Sequence, residues 1–370
     1  MNDGPNPVGG TEEERAIGAV SGARGDRTIP LTTDGRDVDP RLGRLAGAGA
    51  GQVAAPTGPD RPMPGAGETV WDRVPSAVDP DALPTYYDQP IVKAPPWGPV
   101  IPAYLVLGGA SGAAAALAAA TARVPELRSL TTAATWLAAG TGGVGSVLLL
   151  TDLGRPDRAL NMLRVARPTS PMSMGVYLLS GTVGAASVAA LLGNRRGVLG
   201  WTGRRARTAA GLLGLGLSGY TGVLLGTTAL PGWNLGLHTL PPLFVASGAA
   251  TTGSVLTPVT GGATAVAVDT FRVVAQLGEL AAEQAHERAI GGVASVQAVY
   301  RQQRGWRIGR WLTLASLAAT LVPVLRRRRW GRVLIGALGL AGSVATKVAV
   351  FDAGMATAAD PRTTVEQQRP

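Results

Sequence analysis

The sequence contains no cysteine and only two histidines, His238 and His286. Without cysteine the chain can neither ligate an iron–sulfur cluster through thiolates nor form a disulfide. A bis-histidine haem would require the two histidines to face each other across two helices. We therefore expect no metal or haem to be bound by this chain, and any redox role must use a cofactor that diffuses or that a partner holds.

Residues 1–95 lack a long apolar run and lack the basic start and short apolar stretch of a signal peptide. They carry 14 Asp/Glu against 9 Lys/Arg, with many Gly and Pro, whereas the remainder carries 10 acidic and 25 basic residues. We interpret residues 1–95 as a disordered acidic tail. The basic remainder suits loops that face anionic lipid or an acidic partner, and the charge is not evidence for nucleic-acid binding.

Apolar segments of membrane-spanning length follow from residue 101 onwards. About 20 residues are needed to cross roughly 30 Å of hydrocarbon, and five segments are clear: 101–122, 130–151, 172–193, 208–230 and 236–258. Two more, 308–325 and 331–351, are separated by four arginines at 326–329. Glycines at small-residue spacing, such as Gly108 with Gly112, predict closely packed helices.

An eighth helix is predicted at 264–300, where polar residues recur at steps of three and four. They are Asp269, Arg272, Gln276, Glu279, Glu283 and His286. This spacing places one polar stripe on a helix whose other face is apolar. Two interpretations stay open: the C-terminal half of this helix projects from the bilayer as a solvated amphipathic helix, or Asp269, Arg272 and Glu279 face the bundle interior and pair there.

A charged loop at 152–174 separates the second and third predicted helices. It begins Asp-Leu-Gly-Arg-Pro-Asp-Arg, and Pro156 and Pro171 end one helix and start the next. This segment resembles the corresponding loop of the NrfD/PsrC family, the membrane anchor subunits of polysulfide-reductase-type oxidoreductases. The stretches 102–112, 219–226 and 349–361 also resemble that family. Lys347 departs from the pattern, since we expect an arginine there.

The resemblance implies an anchor subunit that binds a quinone, menaquinone or ubiquinone, near one membrane face. It also implies electron exchange with a four-cluster iron–sulfur subunit attached to a molybdopterin oxidoreductase subunit. We therefore expect an all-α, multi-pass protein of the cell membrane, with eight transmembrane helices in two four-helix bundles at 96–355 and a short tail at 356–370. The rivals are a transporter or proton-conducting protein, with the charged stripe as its pathway, and a purely structural anchor.

Four aromatic or titratable residues are the quinone-site candidates. A quinone needs hydrogen-bond donors at its carbonyls, a slot for its ring and a source of protons. Tyr220 lies in a stretch that resembles the family and is the candidate hydrogen-bond donor to the quinone. The alternative is that Tyr220 only packs against neighbouring helices. Trp97 and Tyr104 are candidates for lining the slot that holds the quinone ring. The alternative is that they only anchor the chain at the membrane interface. His238 is a candidate proton donor to the quinone, and the alternative is a purely structural role.

The charged candidates form two groups. We expect Asp152 and Arg155 to form a charge-assisted bond that fixes the loop, with a proton relay through Asp152 as the alternative; Asp269 and Glu279 are further candidates for these roles. Arg158, Arg164 and Arg167 make the same face attractive to an acidic surface, so we expect the iron–sulfur partner to dock there.

Overall fold

The computed structural model describes residues 90–153, 155–164 and 166–368. Nearly all of the predicted acidic tail at 1–95 lies outside the described residues, as do residues 369–370. Every element in the described part of the chain is a helix, as predicted. We label the eight helices of 17 or more residues as α1 Val100–Thr121, α2 Arg128–Asp152, α3 Pro171–Leu192, α4 Gly197–Gly226, α5 Leu240–Leu256, α6 Gly262–Ile290, α7 Arg304–Thr320 and α8 Arg329–Ala359.

Shorter helical segments connect these eight. They are Pro125–Leu127, Pro156–Leu163, Pro231–Asn234, Thr257–Val259, Ala294–Gln302, Pro323–Arg327 and Pro361–Gln368. The predicted charged loop is therefore ordered into a turn of 3-10 helix after α2. The expected tail at 356–370 instead continues α8 to Ala359 and adds a further short helix.

Local sequence accounts for several helix starts. Ser170 is the N-cap of α3, where its side chain accepts a hydrogen bond from the Ser173 amide at 3.4 Å, and Pro171 takes the first helical position. Gly197 and Gly262, at the starts of α4 and α6, have φ of 67° and 58°. Glycine adopts this left-handed conformation at little steric cost, which allows the chain to reverse tightly between helices.

Consecutive long helices run antiparallel. At one end of the bundle the hydroxyls of Thr121 on α1 and Thr131 on α2 lie 2.9 Å apart. At the other end Gly175 on α3 contacts Tyr220 on α4. We call the end that carries the start of α1 and the ends of α2 and α4 the proximal end, and the opposite one the distal end.

Close glycine contacts hold the helices together, as the spacing predicts. A Cβ atom at Gly112 on α1 would lie 2.7 Å from the backbone nitrogen of Ser218 on α4, and one at Gly222 would lie 2.7 Å from the backbone of Leu240 on α5. Helix α1 packs against α2, α4 and α5, while α8 packs against α5 and α7. Arrangement into two four-helix bundles stays a prediction.

Five of the long helices are long and apolar enough to cross a membrane: α1, α2, α3, α4 and α8. Helices α5 and α7 have only 17 residues each, and α6 carries several charges. These properties are those of a multi-pass membrane protein. The count of eight crossings stays a prediction.

Helix α6 is polar towards the protein, and the outer face of its first half is largely apolar, whereas Gln284 and Arg288 are exposed near its end. All six residues of its stripe are buried: Asp269, Arg272, Gln276, Glu279, Glu283 and His286. On the outer face Val266, Val274 and Leu277 are 60%, 64% and 54% exposed. Ionisable groups that face a bundle interior and apolar groups that face outwards are typical of a helix surrounded by lipid. The stripe is therefore buried in the protein rather than solvated, and the predicted single helix to residue 300 ends at Ile290. The position of the C-terminal half of α6 relative to the bilayer stays a prediction.

Candidate functional site

A cavity of about 300 Å³ opens at the proximal end between α1, α2, α3 and α4. Its volume lies at the lower end of the range of about 300 to 1,000 Å³ typical of small-molecule sites. Three of the predicted quinone-site residues, Trp97, Tyr104 and Tyr220, line it together with Asp152. The remaining lining is apolar: Ile101, Leu105, Leu149, Leu153, Met162, Met172, Gly175, Val176, Leu179, Leu224 and Leu225.

Two tyrosines supply the hydroxyl groups of the cavity. Tyr104 and Tyr220 are only 4% and 8% exposed, and neither hydroxyl makes a hydrogen bond among the described residues. The ring of Tyr220 lies directly against Gly175, where any side chain would overlap it. Gly175 thus creates the space into which Tyr220 fits, and both hydroxyls are available to a ligand.

Trp97 is held by two other aromatic rings. Its ring stacks on Trp233 with centroids 5.7 Å apart and on Phe351 at 6.4 Å. The indole Nε1–H of Trp233 donates a 2.8 Å hydrogen bond to the carbonyl of Val350 on α8. This stack fixes the segment that enters α1, so Trp97 both anchors the chain and forms a wall of the cavity.

Asp152 and Arg155 do not form the predicted ion pair. Arg155 instead binds Asp157 at 3.3 Å, and both side chains are more than 60% exposed. The two residues separate because α2 ends at Asp152, and the chain then turns away before the 3-10 helix Pro156–Leu163. Asp152 is exposed and lines the cavity, near Gly98.

His238 lies away from the cavity. It is exposed in the turn between the short helix Pro231–Asn234 and α5. His286 is buried, with Nδ1 2.9 Å from the Thr239 hydroxyl, and packs on Tyr300 and Trp306. The structure thus gives His238 no place among the residues that line the cavity.

The predicted docking arginines lie at the proximal end beside the cavity. Arg158, Arg164 and Arg167 are all exposed in the segment between α2 and α3. Met162 of the same segment lines the cavity. A protein that bound these arginines would therefore lie next to the cavity opening.

A second polar region lies inside the helices α5 to α8. At its distal end Asp269 is 3.2 Å from Arg332, 3.7 Å from Arg326 and 3.9 Å from Arg272. Arg272 is fully buried. Its guanidinium donates to the side chains of Thr257, Gln276, Ser316 and Thr320 at 2.8 to 3.2 Å. Asp269 and Arg272 face the interior together, as one interpretation of the sequence required, and Arg332 shares the carboxylate.

Towards the proximal end the same stripe carries two buried carboxylates. One oxygen of Glu279 accepts a 2.9 Å bond from Ser343, while its other oxygen has no partner in the described part of the chain. Glu283 accepts from Thr346 at 2.9 Å and from Arg310 at 3.2 Å. Glu279 faces the interior and accepts its hydrogen bond from a hydroxyl rather than from Arg272.

Lys347, the departure from the family pattern, is buried beside this stripe. Its ammonium donates to the Leu105 carbonyl at 3.4 Å and lies 5.6 Å from the centre of the Phe244 ring. It is close enough to Glu279 for the two charges to interact. A Cβ atom at Gly109 would lie 2.7 Å from the ammonium, so Gly109 leaves room for the lysine.

Sequence reasoning missed Gly175, Met162 and Met172 as parts of the cavity and Trp233 as the support of Trp97. An isolated glycine or methionine in an apolar helix carries no signal of its neighbours. Trp233, in the stretch Pro-Gly-Trp-Asn, could have been found as an aromatic residue at a helix end.

A comparison with curated proteins gave no match for this chain. The sequence model of one family, described as "Polysulphide reductase, NrfD", matches residues 89–359. This match runs from just before Trp97 to the end of α8, and so includes the cavity and the buried stripe. The chain belongs to the NrfD family, as its sequence indicated.

Proposed function

We propose that this chain is the quinone-reacting membrane anchor subunit of a multisubunit oxidoreductase in the cell membrane. The NrfD family provides the membrane anchors of polysulfide-reductase-like complexes, and its members generally associate with iron–sulfur and molybdopterin subunits. The observation that carries the proposal is the convergence of Trp97, Tyr104, Asp152 and Tyr220 on one cavity. The sequence separates these residues by up to about 120 positions, and only the fold brings them together.

The cavity residues suit a flat molecule with an oxygen at each end. Trp97 and the surrounding leucines offer apolar surface to a ring, and the hydroxyls of Tyr104 and Tyr220 can donate to carbonyl oxygens. A bound quinone supplies two-electron, two-proton chemistry. Asp152, at the exposed end of the cavity, can hold a proton and pass it inwards from water.

The exposed arginines next to the cavity give the electron donor or acceptor a place to bind. Arg158, Arg164 and Arg167 present positive charge to an acidic protein surface. We propose that the four-cluster iron–sulfur subunit binds there, with the molybdopterin subunit attached to it. That position would bring its nearest cluster towards the quinone cavity.

The test is the variant Tyr220→Phe, which removes one hydroxyl and keeps the ring. We expect less bound quinone after purification and at least tenfold slower quinone-linked electron transfer per assembled complex. Tyr300→Phe is the control, because Tyr300 is also buried but its hydroxyl bonds to the Gly232 carbonyl, away from the cavity. Unchanged quinone binding and turnover in Tyr220→Phe would show that the Tyr220 hydroxyl is not part of the quinone site. Purified complex without any bound or reacting quinone would indicate a purely structural anchor.

Proton conduction is the second candidate function, and the buried stripe of α6 favours it. From Asp269 to His286 the stripe extends about 25 Å along the helix, at about 1.5 Å a residue, which is most of the hydrocarbon thickness. Buried ionisable groups at such depth often mark a proton pathway. Proton uptake by proteoliposomes that contain Glu279→Gln tests this, with exposed Glu126→Gln as the control. Equal uptake by both variants would exclude Glu279 from a pathway.

A further inference from the structure

The distal end of α4 carries a basic and apolar surface that no carboxylate of the described residues balances. Five arginines lie between α3 and the middle of α4: Arg195, Arg196, Arg204, Arg205 and Arg207. The sequence has no Asp or Glu between Asp157 and Asp269. The acidic residue at the distal end of α2, Glu126, makes no ion pair with these arginines among the described residues. The positive charge of this surface is therefore not neutralised by any carboxylate in the part of the chain that the structure describes.

Arg207 differs from the other four because it points into the protein. It is only 9% exposed, and its Nε–H has no hydrogen-bond partner in the described part of the chain. Its guanidinium lies beside Gly193 at the end of α3, yet no hydrogen bond joins it to a carbonyl there. The charged groups near enough to act on it are Arg204 and Arg128, which are also positive. A buried guanidinium with an unpaired donor and two cationic neighbours is costly unless an anion approaches it.

Exposed apolar side chains lie on α4 both before and after the arginines, and Leu212 and Leu215, which follow Arg207 towards the middle of the helix, are 68% and 61% exposed. Val198, Leu199 and Trp201 are 78%, 57% and 54% exposed. The guanidinium of Arg205 lies 5.5 Å from the centre of the Trp201 ring. Exposed aliphatic side chains, a tryptophan and arginines in the first turns of a helix are typical of the membrane interface, where acyl chains and headgroups meet.

We propose that Arg207, with Arg204 and Arg128, binds the phosphate of an anionic phospholipid at the distal end of the bundle. The guanidinium groups donate to phosphate oxygens, which neutralises the three like charges, and the acyl chains lie along Leu212 and Leu215. A lipid fits better than a free phosphate ion because the same site offers exposed apolar surface beside the charge. This site lies at the opposite end of the bundle from the quinone cavity and is independent of the proposed function.

The test compares lipids of one acyl composition and different headgroups on the full chain in detergent. We expect phosphatidylglycerol to raise the unfolding temperature and to remain bound in native mass spectrometry, and phosphatidylcholine to do neither. Arg207→Gln and Arg204→Gln should each weaken phosphatidylglycerol binding about fivefold, the contribution of one basic residue near an anionic surface. Arg304→Gln, which removes an exposed arginine from the proximal end, is the matched control and should bind as the wild type does.

Two results would overturn the proposal. Undiminished phosphatidylglycerol binding by Arg207→Gln and Arg204→Gln would show that binding depends only on the overall positive charge of the protein and not on this site. Equal stabilisation by inorganic phosphate, at the same concentration, would indicate a free-anion site rather than a lipid site. Should Arg207→Gln fail to fold, Arg204→Gln and Arg128→Gln carry the test, because both side chains lie at the surface and leave the α3 contact intact.

Discussion

Gly175 on α3 lies so close to the ring of Tyr220 on α4 that a methyl group at position 175 would overlap the ring. The side chain of Tyr220 can therefore occupy its position in the cavity only because Gly175 on the facing helix has no side chain. Since protein interiors transmit such local changes of volume, Gly175 sets the position of the proposed hydrogen-bond donor.

We predict that Gly175→Ala displaces Tyr220 and weakens quinone binding about tenfold or more, because overpacking typically costs about 1 to 3 kcal/mol. The measurement is bound quinone per purified chain together with quinone-linked turnover. Gly184→Ala is the matched control, since a Cβ atom there on the same helix meets nothing within 4 Å. Equal quinone content in the two variants would contradict the assigned role of Gly175.

The second prediction tests the proposed role of Asp152 as a proton relay. If the carboxylate relays protons, Asp152→Asn keeps assembly with the iron–sulfur partner and slows quinone-linked turnover about a hundredfold, the usual loss for a general acid or base. Asp157→Asn is the control, because it breaks only the exposed pair with Arg155. Such pairs contribute at most about 1 kcal/mol, so we expect normal turnover. Normal turnover in fully assembled Asp152→Asn would eliminate the relay.

Much of the fold could be predicted from the sequence, because length and apolarity are local properties. The predicted segment at 101–122 differs from α1 by one residue at each end, and that at 172–193 differs from α3 by as little. The segment at 208–230 was placed too late because Arg204, Arg205 and Arg207 suggested a loop. The structure accommodates them as the first turns of α4, where the surface of the bundle solvates two of the three.

The candidate site was predicted only in part. Trp97, Tyr104, Asp152 and Tyr220 were found because aromatic and acidic residues at helix ends are unusual in an apolar chain, and all four line the cavity. His238 is a candidate because a histidine at a helix start can donate a proton, but its exposure depends on the turn before α5, which periodicity does not describe. The pairing of Arg155 with Asp157 depends likewise on the direction in which the chain leaves α2.

The third prediction concerns the stability of the buried stripe. Arg272→Met should lower the free energy of unfolding by roughly 3 to 5 kcal/mol, the usual cost of removing one partner from a buried charged network. The loss is large because Asp269 and four hydrogen-bonded side chains lose the same guanidinium. Arg327→Met, at an exposed position, should change stability by less than about 0.5 kcal/mol. Thermal unfolding in detergent measures both, and similar shifts would show that the network adds little stability.

The last prediction is that α6 crosses the membrane, which gives eight crossings and places both chain termini on the same face. Helix α6 has 29 residues, or about 43 Å at about 1.5 Å a residue, which is enough for the hydrocarbon despite its charges. Its stripe is buried against α5, α7 and α8. Its outer face is apolar apart from Thr270 and, near the proximal end, Gln284 and Arg288. Tags at both termini should therefore be cleaved together by protease added to sealed vesicles. A third tag after Arg123, between α1 and α2, should be protected when the termini are cleaved. Termini on opposite faces would mean that one of the long helices does not cross the membrane. Because of its charges, α6 would then be the first helix to remove from the set of membrane crossings.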